Sequence, residues 1–248
     1  MRFLRKNDYS LLGDTFKKAS EFQQDFLKDN KLSDYSWSSN PLHQWSRYFE
    51  YPFVINAIDS VNKKNLSILD YGAGKTFLPF FLLQKKHDVI CYDVVDYSDY
   101  YENTPIGFTK SLKTIDKKID VAYSVSVLEH TEDPVAEISN IYNLLADDGI
   151  FIMTFDVDCR GDLSISLDNL QKVTIFLNDH FDEISYFKDH SSPLLTFENS
   201  KYGLYGSGVK FIAKRLLIAC KGLFSVSKSK ISPYDIRVGT FIGKKKSL

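Results

Sequence analysis

In the run Ser67–Thr76, SILDYGAGKT, an acid at Asp70 stands just before a Gly-x-Gly turn at Gly72 and Gly74. Glycines there permit a tight turn and let a ligand approach bare backbone. The apolar residues on either side predict a strand before the turn and a helix after it. Three ligand chemistries use such a turn, and spacing separates them. A phosphate-cradling loop ends in Gly-Lys-Ser/Thr, which Gly74, Lys75 and Thr76 supply, but its first glycine would fall on Leu69. A dinucleotide fingerprint needs a third glycine where Phe77 stands. What is left is Asp-x-Gly-x-Gly, whose acid suits a cationic or hydroxylated ligand. A second acid, Asp93, ends the next predicted strand, where a ribose-binding carboxylate is expected about 20 residues on.

Further candidates lie on both sides of this turn. His130 follows a later strand, and an imidazole there suits a general base; a scaffold role is the other reading. Asp156 and Asp158 could hold a divalent ion, orient ligand hydroxyls or cap their loop. Two carboxylates are a thin ligand set for magnesium, so hydroxyl binding is favoured and no metal site is assigned. Arg160, in the same loop, can meet an anionic ligand. Upstream, Leu42–Ile55 (LHQWSRYFEYPFVI) crowds Trp45, Arg47, Tyr48, Phe49 and Tyr51 together. This stretch is either an aromatic cover for the sheet or the carrier of a cation to the turn.

Alternating strands and helices must position these groups. Ser67–Asp70, His87–Asp93, Ile106–Thr109, Asp120–Val125 and Ile150–Phe155 read as strands. Thr76–Leu83 reads as a helix in which Pro79 is tolerable only within the first turn. Asp133 as N-cap and Pro134 at the first position start another, with Val135, Ile138, Ile141 and Leu145 along one face. Residues 1–64 read as a helical cap, with Phe16, Ala19, Phe22 and Phe26 at helical spacing and a polar break over Ser33–Pro41. Past Asp156 the expectations are a helix at Leu167–Phe181, a short strand at Glu183–Phe187, an irregular loop over Ser191–Gly208 and a last strand at Arg237–Gly243. Val209–Phe224 is amphipathic, setting Lys210, Lys214, Arg215 and Lys221 against Ile212, Leu216, Leu217 and Cys220. It suits a wall over the site better than a membrane-surface helix, so no stable membrane anchor is expected and peripheral contact stays open.

Composition sets the outer bounds. A chain of 248 residues, 44% hydrophobic and 25% charged, fits one globular domain with additions. A net charge of −1 gives no general attraction to nucleic acid. Cys91, Cys159 and Cys220 are odd in number and widely spaced, which argues against a disulfide framework or zinc site and for a reducing, cytoplasmic setting. No signal-peptide-like or membrane-spanning apolar run is present in the sequence.

ILDYGAG, VICYDVVD, IDVAYSVSVLEHTEDP and LLADDGIFIMTF occur in that order across Asn65–Asp156. Together they resemble the class I S-adenosylmethionine-dependent methyltransferases, particularly the small-molecule branch that includes the quinone methyltransferases. The resemblance implies an α/β, Rossmann-like sheet of seven strands flanked by helices. It divides a single domain into a cap (1–64), a cofactor-binding core (65–156) and a substrate-covering part with the last strands (157–248). S-adenosylmethionine is the implied cofactor, held at the turn by Asp70, Gly72, Ala73 and Gly74 and on its ribose by Asp93. The tyrosine-rich acidic segment Val94–Asn103 would border the adenosine, and Ser124–His130, with Ser124 and Ser126, would carry the exit of the fourth strand across the cofactor crevice. Arg47 would pair with the methionine carboxylate, because a guanidinium grips a carboxylate bidentately. The family often places an acid after the third strand to meet the adenine amine. Ser111 and Leu112 stand there instead, leaving that contact to backbone groups and a hydroxyl.

The implied reaction is methyl transfer to a small acceptor, with oxygen the favoured target. No covalent nucleophile is needed, and a hydroxyl acceptor gains from a base, for which His130 is the first candidate. Asp156, Asp158 and Arg160 are the acceptor-side candidates. A sugar or glycan precursor and a quinone-like aromatic both stay open. The rivals are a catalytically silent cofactor-binding partner subunit and a nicotinamide-dependent oxidoreductase. Oligomeric state is not legible.

Overall fold

The computed structural model describes residues 1–5, 7–29, 46–158, 165–184, 192–195 and 236–247. His43, Trp45, Cys159, Arg160, the Ser33–Pro41 break and Val209–Phe224 lie outside them, as do most of Ser191–Gly208 and the side chain of Asp158.

Eight strands among the described residues form one sheet: β1 (Arg2–Phe3), β2 (Ser67–Tyr71), β3 (Asp88–Tyr92), β4 (Gly107–Thr109), β5 (Ile119–Val125), β6 (Leu145–Asp158), β7 (Phe181–Glu183) and β8 (Ile236–Lys245). Their order is β1-β8-β6-β5-β2-β3-β4, with β7 also on β8. The five strands from β4 to β6 run parallel, whereas β8 is antiparallel to β6. Seven of these strands are the expected class I arrangement. The eighth, β1, arises inside the segment read as a helical cap and pairs antiparallel with Thr240 and Gly239.

Period-two alternation builds the core on both faces. Ile68, Val121, Tyr123, Val125 and Ile152 join one apolar layer, while their neighbours Leu69, Ala122, Phe151 and Met153 join the other. Strands buried on both faces need helices on both sides. The first layer is covered by α1 (Asp8–Asp29), α2 (Arg47–Asp59) and α3 (Leu78–Gln84). The second is covered by α5 (Pro134–Leu144) and α6 (Leu167–His180); α4 (Ser98–Tyr101) is a single turn after β3. Helix α2 is buried on nearly every side, from Tyr48 through Ile55, and carries Pro52 in its interior. No described helix is long and apolar enough to cross a membrane.

Local signals placed the start of α5, while α3 starts at Leu78, two residues after the expected Thr76. The Asp133 carboxylate accepts from the amides of Val135 and Ala136, and Pro79 falls in the first turn of α3. Phe77, standing where a dinucleotide fingerprint would need glycine, is wholly buried at the start of that helix. Two strands also differ from expectation. The strand expected at Glu183–Phe187 lies at Phe181–Glu183, because Phe181 packs against Phe151 and Phe241 and the chain enters the sheet as soon as α6 ends. Strand β6 is 14 residues long: it starts at Leu145, which pairs with Ile119 rather than lying on the helix face as expected, and pairing with β8 continues to Asp158. That extension carries Asp156 past the end of the parallel core.

Candidate functional site

The chain reverses its lateral direction at β2, which has β3 on one side and β5 on the other. A crevice therefore opens at the carboxyl ends of these strands. Gly72 and Gly74 turn the chain there with φ of 78° and 54°. The Gly72 and Ala73 amides donate to the Tyr92 carbonyl, and the Gly74 amide donates to Asp93 Oδ2 at 2.9 Å. From α4, the Tyr101 hydroxyl donates to the Gly74 carbonyl at 2.8 Å and that of Tyr100 to Thr76 at 3.1 Å. The glycine turn is thus held from outside while its inner face stays bare.

A cavity of about 220 Å³ lies against that inner face. Arg47, Asp70, Gly72, Ala73, Gly74, Asp93, Ser126 and His130 all line it. Tyr51, Thr76, Tyr97 and Tyr123 complete much of the wall; Tyr97 falls in the segment expected to border the adenosine and Tyr51 among the aromatics beside Arg47, whereas Thr76 and Tyr123 had no assigned role. Tyr123 could have been found from alternation along β5, which points it to the same side as Val121 and Val125. Five candidates stand apart from this cavity: Asp156, which is on β6 and not among the lining residues, and four others. Val94 is 74% exposed, Ser111 is exposed, Leu112 packs against the second apolar layer, and Ser124 is buried within β5, one residue out of phase with Tyr123.

Burial shapes the charges. It pushes Asp70 up to about 7, even though the Tyr123 hydroxyl donates to its Oδ2 at 2.7 Å. Burial also pushes the Tyr51 phenol up to about 12. Burial of Arg47 works against its charge, but Glu50, with Tyr51 and Asp156 adding to it, holds it above its ordinary value. Glu50 is completely buried; it binds Arg47 at 2.5 Å and accepts from the hydroxyls of Ser126 and Thr154, each at 2.7 Å. Beside this cluster the Asp156 amide donates to Glu129 Oε1 at 3.1 Å. Desolvation, with Glu50 and Glu129 adding repulsion, pushes Asp156 up to about 8. Burial brings Glu129 to about 7. Asp156 Oδ1 and Glu129 Oε2 are buried without a hydrogen-bond partner among the described residues. Among those residues no group of three or more His, Cys, Asp or Glu could hold a metal ion.

A cavity with a guanidinium, a bare glycine turn and a strand-end carboxylate on its walls can hold a ligand that is part amino acid and part nucleoside. Comparison with known proteins gives the same direction. A family model described as a methyltransferase domain matches residues 43–194. Among curated proteins no match is found. Of solved structures, the fold is similar to that of the [4+2]-cyclase SpnF, at 12% identity and TM-score 0.52 over 80% of this chain and 82% of that one. It is similar to the 1,6-didemethyltoxoflavin-N1-methyltransferase of Burkholderia thailandensis, bound with 1,6-didemethyltoxoflavin and S-adenosylhomocysteine. That likeness has 13% identity and TM-score 0.50, covering 99% of this chain and 92% of that one. It is similar, too, to Haemonchus contortus phosphoethanolamine N-methyltransferase 2 in complex with S-adenosyl-L-methionine, at 14% identity and TM-score 0.51 over 90% and 60% of the two chains.

Proposed function

Because the chain belongs to the methyltransferase-domain family, with S-adenosylmethionine as its cofactor, we propose that it methylates a hydroxyl oxygen of a small acceptor in the cytoplasm. A sugar or glycan precursor is the favoured acceptor, with other hydroxylated metabolites next. The observation that carries the reading is the single cavity that gathers Arg47, the Gly72–Gly74 turn and Asp93.

The cofactor, when bound, supplies an electrophilic methyl on a sulfonium, so the protein's work is alignment and exclusion of water. Arg47 grips the methionine carboxylate, and the bare turn admits the amino-acid portion. Asp93 takes the ribose hydroxyls while still accepting from the Gly74 and Val95 amides. His130, exposed at the rim of the cavity, removes the acceptor proton as the oxygen attacks. Asp156 at the end of β6 orients acceptor hydroxyls, with Asp158 and Arg160 further along the same chain.

The test is calorimetry with S-adenosylhomocysteine, followed by transfer from methyl-labelled S-adenosylmethionine to a panel of sugars, sugar nucleotides and catechols. Binding with transfer to one class supports the reading. Binding without transfer to any member favours the silent-subunit alternative, and no binding removes the function. On the acceptor found, His130→Ala should lower turnover about 100-fold with cofactor affinity nearly intact. Equal turnover at saturating acceptor, with methyl transfer rate-limiting, would exclude His130 as the base.

A further inference from the structure

Glu50 follows Arg47 by one turn of α2, and no part of its side chain reaches solvent. Its two oxygens have different tasks. Oε2 accepts from Arg47 Nη1 at 2.5 Å, while Oε1 accepts from the hydroxyls of Ser126 and Thr154, each at 2.7 Å. One carboxylate therefore joins α2, the turn after β5 and strand β6. The turn needs such a tether, since Ser126 is a non-glycine residue at φ 50°, a region that side chains rarely adopt. Arg47 itself is bonded only through Nη1, to Glu50 and more weakly to Ser46 Oγ at 3.4 Å, among the described residues. Its Nε and Nη2 are unspent. Those two atoms form the side-on edge of the guanidinium, the edge that meets a carboxylate with two parallel bonds. Two other buried acids, Asp156 and Glu129, lie within electrostatic reach of Arg47.

We propose that Glu50 is a positioning residue for cofactor binding: it clamps one corner of Arg47 so that the free edge faces the methionine carboxylate, and it pins the Ser126 wall of the same cavity. This rests on the assignment of Arg47 made above. Glu50→Gln breaks the clamp in a defined way. Ser126 and Thr154 both donate, so the amide oxygen takes their side and the amide nitrogen is left facing Arg47, donor against donor.

Two ligands separate positioning from mere structure. S-adenosylhomocysteine carries the carboxylate, whereas 5′-methylthioadenosine keeps the adenosine and sulfur but lacks it. Glu50→Gln and Arg47→Ala should each weaken S-adenosylhomocysteine about tenfold or more and change 5′-methylthioadenosine by less than about twofold. The double variant should be no worse than Arg47→Ala alone. Equal weakening of both ligands by Glu50→Gln would show that Glu50 only supports the fold. Full affinity in Glu50→Gln alongside loss in Arg47→Ala would overturn the Glu50 proposal and keep the Arg47 assignment; full affinity in Arg47→Ala would end both. Should Glu50→Gln fail to fold, Thr154→Val removes one hydroxyl from Oε1 at nearly constant volume. It should weaken S-adenosylhomocysteine selectively, by about threefold, and an unselective or absent effect would count against the proposal.

Discussion

At the scale of single residues, acids at this site do different work according to how deeply they are buried. Asp93 is half-buried and accepts from two backbone amides, so its carboxylate is fixed in place before any ligand arrives. Asp93→Ala should weaken S-adenosylmethionine by about 1.5–3 kcal/mol, the scale of hydrogen bonds to a charged group, and calorimetry reads this directly. Asp156 and Glu129 are desolvated and face one another, and their values rise to about 8 and about 7. In the unfolded chain both would shed their protons near the ordinary carboxylate range. Between that range and pH 8 the folded state therefore holds more protons than the unfolded state, and stability falls as pH rises through the interval. Asp70, pushed up to about 7, acts in the same direction. Urea midpoints should be lower at pH 8.5 than at pH 6, and Asp156→Asn, which cannot ionise, should narrow the gap. An unchanged gap would mean that Asp156 ionises freely in the folded chain.

At the scale of elements, the glycine turn gives the sharpest contrast. A Cβ on Gly72 would come within 2.3 Å of Val127 Cγ2, and its φ of 78° disfavours any side chain, whereas a Cβ on Gly74 meets nothing within 4 Å. The sequence alone suggested that bulk at Gly72 would intrude on the cofactor; the structure shows that it also collides with the loop after β5. Gly74→Ala should destabilise by about 1–2 kcal/mol from backbone strain alone. Gly72→Ala should add an overpacking term of about 1–3 kcal/mol, part of which Val127→Ala should restore. Thermal melts of the three variants check the ordering, and a Gly72→Ala no worse than Gly74→Ala would sink it. The contrast also shows what kind of signal the sequence carried. The turn and the Asp133 cap are local, so they were legible. Glu50 was passed over although it sits among the aromatics that drew attention to Arg47, because its partners Ser126 and Thr154 are 76 and 104 residues away. Strand β1 was missed for the same reason, since two residues have no period and their partner is near the other end of the sequence.

At the scale of the whole molecule, that missed strand closes the fold. The Leu4 amide donates to the Val238 carbonyl of β8, and the Leu4 carbonyl accepts from Leu195 at 2.8 Å. Arg5 and Leu194 form an antiparallel bridge, and Arg2 pairs at 2.7 Å with Asp8, which begins α1. The first residues thus tie the cap, the sheet edge and the segment at 192–195 into one body. Leu4 is buried to 1% exposure within the same apolar layer as Phe49, Ile68 and Tyr123. If cap and core share that layer, they should melt together. Leu4→Ala should cost about 2–5 kcal/mol through lost burial and the cavity left behind. It should lower the midpoint of one cooperative transition, seen at the same temperature by far-ultraviolet dichroism and by tyrosine near-ultraviolet signals. S-adenosylhomocysteine, in the site proposed between α2 and the strand ends, should raise that whole transition rather than part of it. A Leu4→Ala melt that splits, with an early step indifferent to the ligand, would show that the cap unfolds on its own and that the 1–64 segment is a separable unit.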